Sequence, residues 1–335
     1  MKGFMSASAT ILDDQALPTL RAVLDPEELR THLRRSPRLQ ARGVGEIQVV
    51  LLRHHPGKRC VVEIRVQTRQ GPLDLIGKVY AKDRSDVFRL MQGIRSEGFG
   101  PSEEFSIPEA TAYLHPLQLL LQEKVPGRAA TESFLSHDES EREAAAERCA
   151  RWLAKFHALA PRLGARFQPS SYLASLEQWF HRLAALGEPF AHKAGALFKR
   201  LEQTASALDH AEMHTIHGDF THHQVIFAER STVSVDWDSY GLADRARDLA
   251  RFMVGLKRLA LRSRGSIRAL DHEAEAFLEG YAAPHRSDQA ARLAFQKAAI
   301  CLEHAKHDVH KRASGWRERA EVTLDEGLRI LEGRA

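Results

Sequence analysis

The sequence predicts an α+β fold in two lobes: a small N-terminal lobe built on an antiparallel sheet and a larger, mainly helical C-terminal lobe. Three observations carry that expectation. Between Ile47 and Tyr80, three short runs show the two-residue alternation of strands. After Val125, apolar residues recur every three to four positions almost to the end of the chain, which is the period of helices. One interruption breaks the helical half, a polar loop from His217 to Gln224 followed by two short β-like runs that end at Asp236. At 335 residues the chain is long enough for two lobes, and its 43% apolar content suffices for a packed core.

In order along the chain, Asp25-Pro26-Glu27-Glu28 starts a helix, with an N-cap Asp, Pro at the first helical position and Glu at the third, and the helix is expected to reach about Arg35. Strands follow at Ile47–Leu52, Val61–Val66 and Leu73–Tyr80. The turn joining the first two holds His55, Gly57 and Lys58, and a basic turn with glycine can fold over phosphate groups and donate backbone N–H groups to them. Lys78 lies inside the third strand, where burial is costly without a partner. It therefore either sits on an edge strand with its ammonium in solvent or holds an anion. A helix over Arg84–Ser96 places Val87, Leu90, Met91 and Ile94 on one face, and a tight hairpin spans Ala112–Gln122. The hairpin runs into Glu123-Lys124-Val125-Pro126-Gly127, a Pro-Gly crossing that sets the lobes at residues 1–124 and 125–335.

Beyond the crossing, Cys149, Trp152, Leu153, Phe156 and Leu159 form a helical core stripe. Further helices are predicted near 171–185, 190–208, 244–263, 270–281, 288–312 and 317–333, with no other strand outside the hairpin. His304, His307 and His310 recur on one of these helices. Their sweep of about 300° spreads them too far around it to share one metal, so a solvated or substrate-facing stripe is expected.

Composition narrows the function. No run approaches the roughly 18 apolar residues of a membrane span, and residues 1–20 lack the basic and apolar blocks of a secretory leader. Cys60, Cys149 and Cys301 are odd in number and widely spaced, which fits neither a disulfide framework nor a zinc site, so a cytoplasmic location is expected. The net charge of +4 is spread without a basic run, which argues against a nucleic-acid partner. The oligomeric state is left open.

The densest signal is His217-Gly218-Asp219-Phe220-Thr221-His222-His223-Gln224, then Val225-Ile226-Phe227, a turn, and Val233-Ser234-Val235 leading into Asp236. A hairpin folds its ends together, so Asp219, Gln224 and Asp236 can converge. One carboxylate free to accept a proton, beside an amide oxygen and a second carboxylate able to hold a hard cation, is the donor set that phosphoryl transfer from Mg-ATP requires. Asp238 is a further candidate for substrate or metal contact, whereas His222 and His223 read as polar loop filling.

His-Gly-Asp in the loop, Asp236-Trp237-Asp238 after the strand and Asp248-Leu249-Ala250 beyond it resemble the catalytic core of the aminoglycoside phosphotransferase and choline kinase-like family, small-molecule relatives of the protein kinases. The resemblance covers roughly residues 45–255 and implies a protein-kinase-like two-lobe fold. It makes Asp219 the base, Gln224 and Asp236 the Mg²⁺ ligands, and His217 and Asp248 supports of the catalytic loop. It also makes Lys78 the holder of the ATP α- and β-phosphates, the turn at His55, Gly57 and Lys58 the nucleotide loop, and Gln122, Glu123 and Val125 part of the hinge that reads adenine. The family's helix Glu that pairs with the strand Lys has no clear counterpart, since Asp86 and Glu97 are the only acids on that helix. Gln224 stands where Asn is usual and reaches further by one methylene, roughly 1.5 Å. The implied reaction moves the γ-phosphoryl group of ATP to a hydroxyl of a small molecule such as a sugar, amino-alcohol or natural product. The alternative is a nucleotide-binding pseudokinase or scaffold without turnover. Residues 251–335 hold sixteen Lys or Arg against twelve Asp or Glu, a balance better suited to a neutral or anionic acceptor than to a polycationic aminoglycoside.

Overall fold

The computed structural model describes residues 14–205, 212–281 and 287–333. The chain divides into two compact units after Pro126.

The first unit opens with three short helices, α1 (Leu20–Leu24), α2 (Pro26–Leu33) and α3 (Pro37–Arg42). The expected cap forms: the Asp25 carboxylate accepts the N–H groups of Glu27 and Glu28 at 2.9 and 3.1 Å, with Pro26 in the first helical position. Strands β1 (Ile47–His55), β2 (Arg59–Thr68) and β3 (Gly71–Tyr80) follow, then α4 (Ser85–Ser96), β4 (Phe105–Ser106), β5 (Ala110–Leu114) and β6 (Leu119–Glu123). Five of the strands form an antiparallel sheet in the order β1-β2-β3-β6-β5. Alternation assigns the faces: Cys60, Val62, Ile64 and Val66 of β2 and Leu75 and Val79 of β3 pack with Leu20, Val23, Leu29, Leu33 and Leu39 of the three helices. Gly77 lies on this face because a side chain there would meet Val62 at 2.9 Å and Ile64 at 3.0 Å. Lys78 consequently points from the opposite face, and α4 buries Val87, Leu90, Met91 and Ile94 as the spacing requires.

The second unit begins with β7 (Arg128–Ala129), α5 (Ala130–Leu135) and the long α6 (Glu139–Leu159). Then come α7 (Pro169–Ala184), α8 (Phe190–Thr204), β8 (His214–Ile216), β9 (Val225–Phe227), β10 (Thr232–Ser234) and β11 (Gly241–Ala243). It closes with α9 (Ala246–Arg264), α10 (Asp271–Gly280), α11 (Ser287–Lys311) and α12 (Trp316–Leu331). The predicted helices all form, and residues 206–208 of the one expected over 190–208 lie outside the described residues. The expectation that only the hairpin after His217–Gln224 interrupts the helices needs correction. β7 pairs with β9, and β8 pairs with β11 in a second small sheet. Strands of two or three residues hold too few alternations to announce themselves in a sequence. The core joins α7, α8, α9, α11 and α12 through Leu176, Leu197, Val254, Ile300 and Leu324, all essentially without exposure.

Candidate active site

The loop His217–Gln224 runs from β8 to β9, and a single carboxylate holds its entry. Asp248, in the first turn of α9 and wholly buried, accepts the N–H of His217 at 2.7 Å and that of Gly218 at 2.8 Å. His157 of α6 contacts the same carboxylate at 3.1 Å and turns its other nitrogen to Tyr281 Oη at 2.8 Å. Burial pushes the Asp248 carboxyl up, but His157 and the donated N–H groups outweigh it and hold the carboxyl below its ordinary value. Gly218 is dictated by this geometry. Its φ of 81° favours glycine, and a Cβ would lie 2.0 Å from the carbonyl oxygen of Ser239.

His217 is fully buried and uses both ring nitrogens. Nε2 lies 3.0 Å from the Val235 carbonyl, an acceptor, so Nε2 carries the proton, and Nδ1 accepts the Asp219 N–H at 3.4 Å. The ring ties the loop to the strand that precedes Asp236. Below it, Trp152 of α6 stacks on Phe220 at 5.4 Å, and Phe220 stacks on Phe252 of α9 at 5.5 Å. The stripe on α6 is thus a floor of aromatic rings under the loop. His222 is likewise a brace and not a ligand: it is 1% exposed, its Nδ1 is 2.7 Å from Thr131 Oγ1 on α5, and burial brings its pKa down to about 3.

The Val235 N–H donates to the Gln224 carbonyl at 2.9 Å, which sets Asp236 beside Gln224. Asp236 adopts φ 67° and ψ 63°, a left-handed conformation that costs an L-residue about 1–2 kcal/mol and that Asp tolerates better than most. Gln224 Oε1 accepts from Thr221 Oγ1 at 3.0 Å, and its Nε2 donates toward Asp219 at 3.4 Å. Asp219, Gln224 and Asp236 are therefore brought together as the motif predicts, and Asp238 sits in the 3₁₀ turn Trp237–Ser239 just beyond. Among the described residues no three His, Cys, Asp or Glu side chains gather to cage a metal. The donor set instead suits a hard cation that takes a few protein oxygens and completes its shell with water and phosphate, the habit of Mg²⁺. Gln224 fits that role because its carbonyl oxygen has a second lone pair beyond the one facing Thr221.

Asp219 opens into a cavity of about 650 Å³ lined also by Arg166, Phe167, Arg247, Arg251, Glu303 and His304. Loss of surrounding water raises its carboxyl above the ordinary value, Arg251 draws it back, and the neighbouring Asp236 pushes it up again. Arg251 is buried with Glu303 at 2.9 Å and Asp219 at 3.9 Å. Glu303 resists the effect of burial through this pairing and falls to about 2. His304 and His307 reach the cavity while His310 is exposed, so the predicted stripe divides. Burial lowers His304 to about 3, leaving it a neutral imidazole at pH 7. Sequence reasoning missed Arg251, Glu303, Arg247 and Arg166. The one available signal was Arg251's position directly after Asp248-Leu249-Ala250, one helical turn from Asp248 on the same face.

The remaining predicted residues belong to the first unit. Lys78 is 5% exposed on β3, which lies between β2 and β6, so an edge strand does not account for it. Asp86 is engaged by Arg84 at 3.1 Å and Glu97 is exposed at the end of α4. In the β1–β2 turn, Lys58 N–H closes on the His55 carbonyl at 3.0 Å, and the Gly57 N–H donates to Asp14 at 2.9 Å. Asp14 also contacts His54 at 2.8 Å, and its carboxyl is lowered first by the Gly57 N–H and then by His54. A carboxylate thus sits on a backbone donor of the turn expected to cover phosphates. Gln122 and Glu123 end β6, where the N–H groups of Glu123 and Lys124 bond the carbonyls of Glu109 and Asp74, and Val125 follows.

A loop carrying Asp219 and tethered to a buried Asp, backed by a hairpin that ends in a second carboxylate, in a chain that also carries an antiparallel sheet with a buried strand Lys, fits the class of kinase-like phosphotransferases. The chain belongs to the Phosphotransferase enzyme family, which residues 63–295 match. Solved structures share the fold. A choline/ethanolamine kinase family protein from Mesorhizobium loti superposes with a TM-score of 0.59 at 16% identity, covering 91% of this chain and 94% of that one. The choline kinase LicA from Streptococcus pneumoniae gives 0.57 at 14% identity, with 92% and 98% covered. Aminoglycoside phosphotransferase APH(4)-Ia gives 0.59 at 14% identity, with 87% and 95% covered. No match is found among curated protein sequences.

Proposed function

We propose that the protein transfers the γ-phosphoryl group of ATP to a hydroxyl of a small molecule bound in the cavity beside Asp219. The observation that supports this most is Asp219 itself: a carboxylate whose side chain is 44% exposed, on a loop whose backbone is fixed by two N–H bonds to buried Asp248. Asp219 orients the acceptor hydroxyl and takes its proton. The hydroxyl oxygen bonds to the γ-phosphorus, the bond from that phosphorus to the β–γ bridging oxygen breaks, and the electron pair leaves with ADP. Asp236 and Gln224 hold Mg²⁺, which when bound neutralises charge on the phosphates. Lys78 fixes the α- and β-phosphates, the turn at His55, Gly57 and Lys58 covers them, and Gln122, Glu123 and Val125 receive the base. Because the transition state is loose and anionic, the protein contributes chiefly positioning and charge. Nucleotide complexes of structures with this fold are consistent with the donor: one APH(4)-Ia variant was solved with ADP and hygromycin B, another with AMP-PNP and hygromycin B. The test is ADP formation over a panel of hydroxylated metabolites, with Asp219→Asn as control. Turnover that survives the substitution would remove Asp219 from the mechanism.

A further inference from the structure

We propose that the acceptor is a hydroxylated anion, its carboxylate or phosphate held by Arg247 and Arg166 on the wall of the cavity that Asp219 opens into. The inference rests on the reading of Asp219 as the base and names the chemistry of what it acts on. The lining of that cavity carries three arginines, Arg166, Arg247 and Arg251, against two carboxylates, Asp219 and Glu303. Arg251 lies between both carboxylates, at 2.9 Å from Glu303 and 3.9 Å from Asp219. Among the described residues, neither Arg166 nor Arg247 forms a close ion pair with a carboxylate, although Arg247 lies near enough to Glu303 to help lower its carboxyl. The excess positive charge of the lining therefore falls on the side of Arg166 and Arg247.

Both are placed by the fold. Arg247 lies in the first turn of α9, one residue before Asp248, and its guanidinium is held against the rings of Phe167 and Tyr172 at 4.9 and 4.6 Å. Its Nη1 is buried without a hydrogen-bond acceptor among the described residues, as is Nε2 of His304. A buried guanidinium N–H lacking an acceptor is costly, and a ligand oxygen would remove the cost. Arg166 sits in an extended segment bridged to Leu242 of β11, with the Phe167 N–H on the Leu242 carbonyl at 2.7 Å and the Leu242 N–H on the Ala165 carbonyl at 2.9 Å. Two rigid supports thus aim two guanidinium groups into one cavity.

Charge separates the acceptor classes. A cationic acceptor would be repelled by two guanidinium groups that lack a close ion pair, and a neutral polyol would leave the excess positive charge of the lining unmatched. An anion pairs with both, and the planar, multi-donor guanidinium matches the geometry of carboxylate and phosphate oxygens. The volume of about 650 Å³ admits such a molecule with room for a sugar-sized frame.

The test measures ADP release with saturating Mg-ATP and four size-matched pools: sugar acids and hydroxy-carboxylates, sugar phosphates, neutral sugars and polyols, and amino sugars with amino alcohols. Turnover is expected in an anionic pool, with kcat/KM about tenfold or more above the neutral and amino pools. Which anionic pool is active distinguishes carboxylate from phosphate. Arg247→Gln and, separately, Arg166→Gln should each raise KM for the active anion about ten- to a hundredfold, with a much smaller change in kcat and in KM for Mg-ATP. Arg166 is exposed, so that variant keeps the fold whatever Arg247→Gln does. Turnover confined to the neutral or amino pools, equal turnover in all four, or unchanged KM in both variants would overturn the inference. Mg-ATP binding with neither anionic pool active also overturns it and spares the phosphotransferase reading, whereas absent Mg-ATP binding defeats that reading itself.

Discussion

Asp219→Asn keeps the size and hydrogen-bonding capacity of the side chain and removes the carboxylate proposed to take the proton. Positioned bases contribute about 10²- to 10⁴-fold, so steady-state turnover should fall within that range while Mg-ATP affinity holds. Because loss of surrounding water raises its carboxyl, the acidic limb of the rate profile should lie above the ordinary value of 3.8 for an Asp in solution, with rate lost as pH falls through it. Gln224 invites a second substitution. It bridges Thr221 and Asp219, and Gln224→Asn withdraws the amide by one methylene, so the Mg²⁺ concentration for half-maximal rate should rise. Indifference to both Gln224→Asn and Gln224→Ala in a magnesium titration would show that it is no ligand. The loop residues were legible because their spacing is local. Arg251 and Glu303 were not, since they meet across 52 positions and neither is unusual within its own helix.

At the scale of elements, one face of α9 organises the loop: Asp248 takes its backbone, Phe252 underlies Phe220, and Gly255 lies where a side chain would touch Thr221 at 3.6 Å. Asp248→Ala removes the acceptor of two backbone N–H groups and of His157 at once. Breaking a buried charged cluster by deleting one partner costs about 3–5 kcal/mol, and urea unfolding should register a loss of that order. A loss under about 1 kcal/mol would mean the loop is held by its aromatic floor instead. The helices and longer strands were readable from periodicity, and the Asp25 cap from its residues alone. The β8–β11 and β7–β9 pairings were not, because their stability comes from position in the unit and not from any pattern three residues can carry.

Across the whole molecule, titration and ligand binding both report on the fold. Burial lowers His222 from 6.5 to about 3. The unfolded chain therefore takes up a proton below about pH 6.5 that the folded chain refuses, and stability falls as pH drops from there toward 3. The slope approaches about 1.4 kcal/mol per pH unit for this group. His304 acts in the same direction, while the raised carboxyl of Asp219 acts in the opposite one at lower pH. Stability measured by denaturant between pH 7 and 5 should decline, and His222→Gln should flatten the decline. Mg-ATP at about a hundredfold over its dissociation constant should add roughly 2.7 kcal/mol, with less from ATP in a chelator, and Lys78→Ala should diminish the gain. Among the described residues no helix is long and apolar enough to cross a membrane. The most direct test of the central claim follows the phosphoryl group itself, by mass spectrometry of acceptor and nucleotide after incubation with Mg-ATP. Wild-type protein should yield a phosphorylated acceptor and an equal amount of ADP, and Asp219→Asn should yield both about 10²- to 10⁴-fold more slowly. Equal rates from the two proteins, or ADP without a phosphorylated acceptor in the wild type, would contradict it.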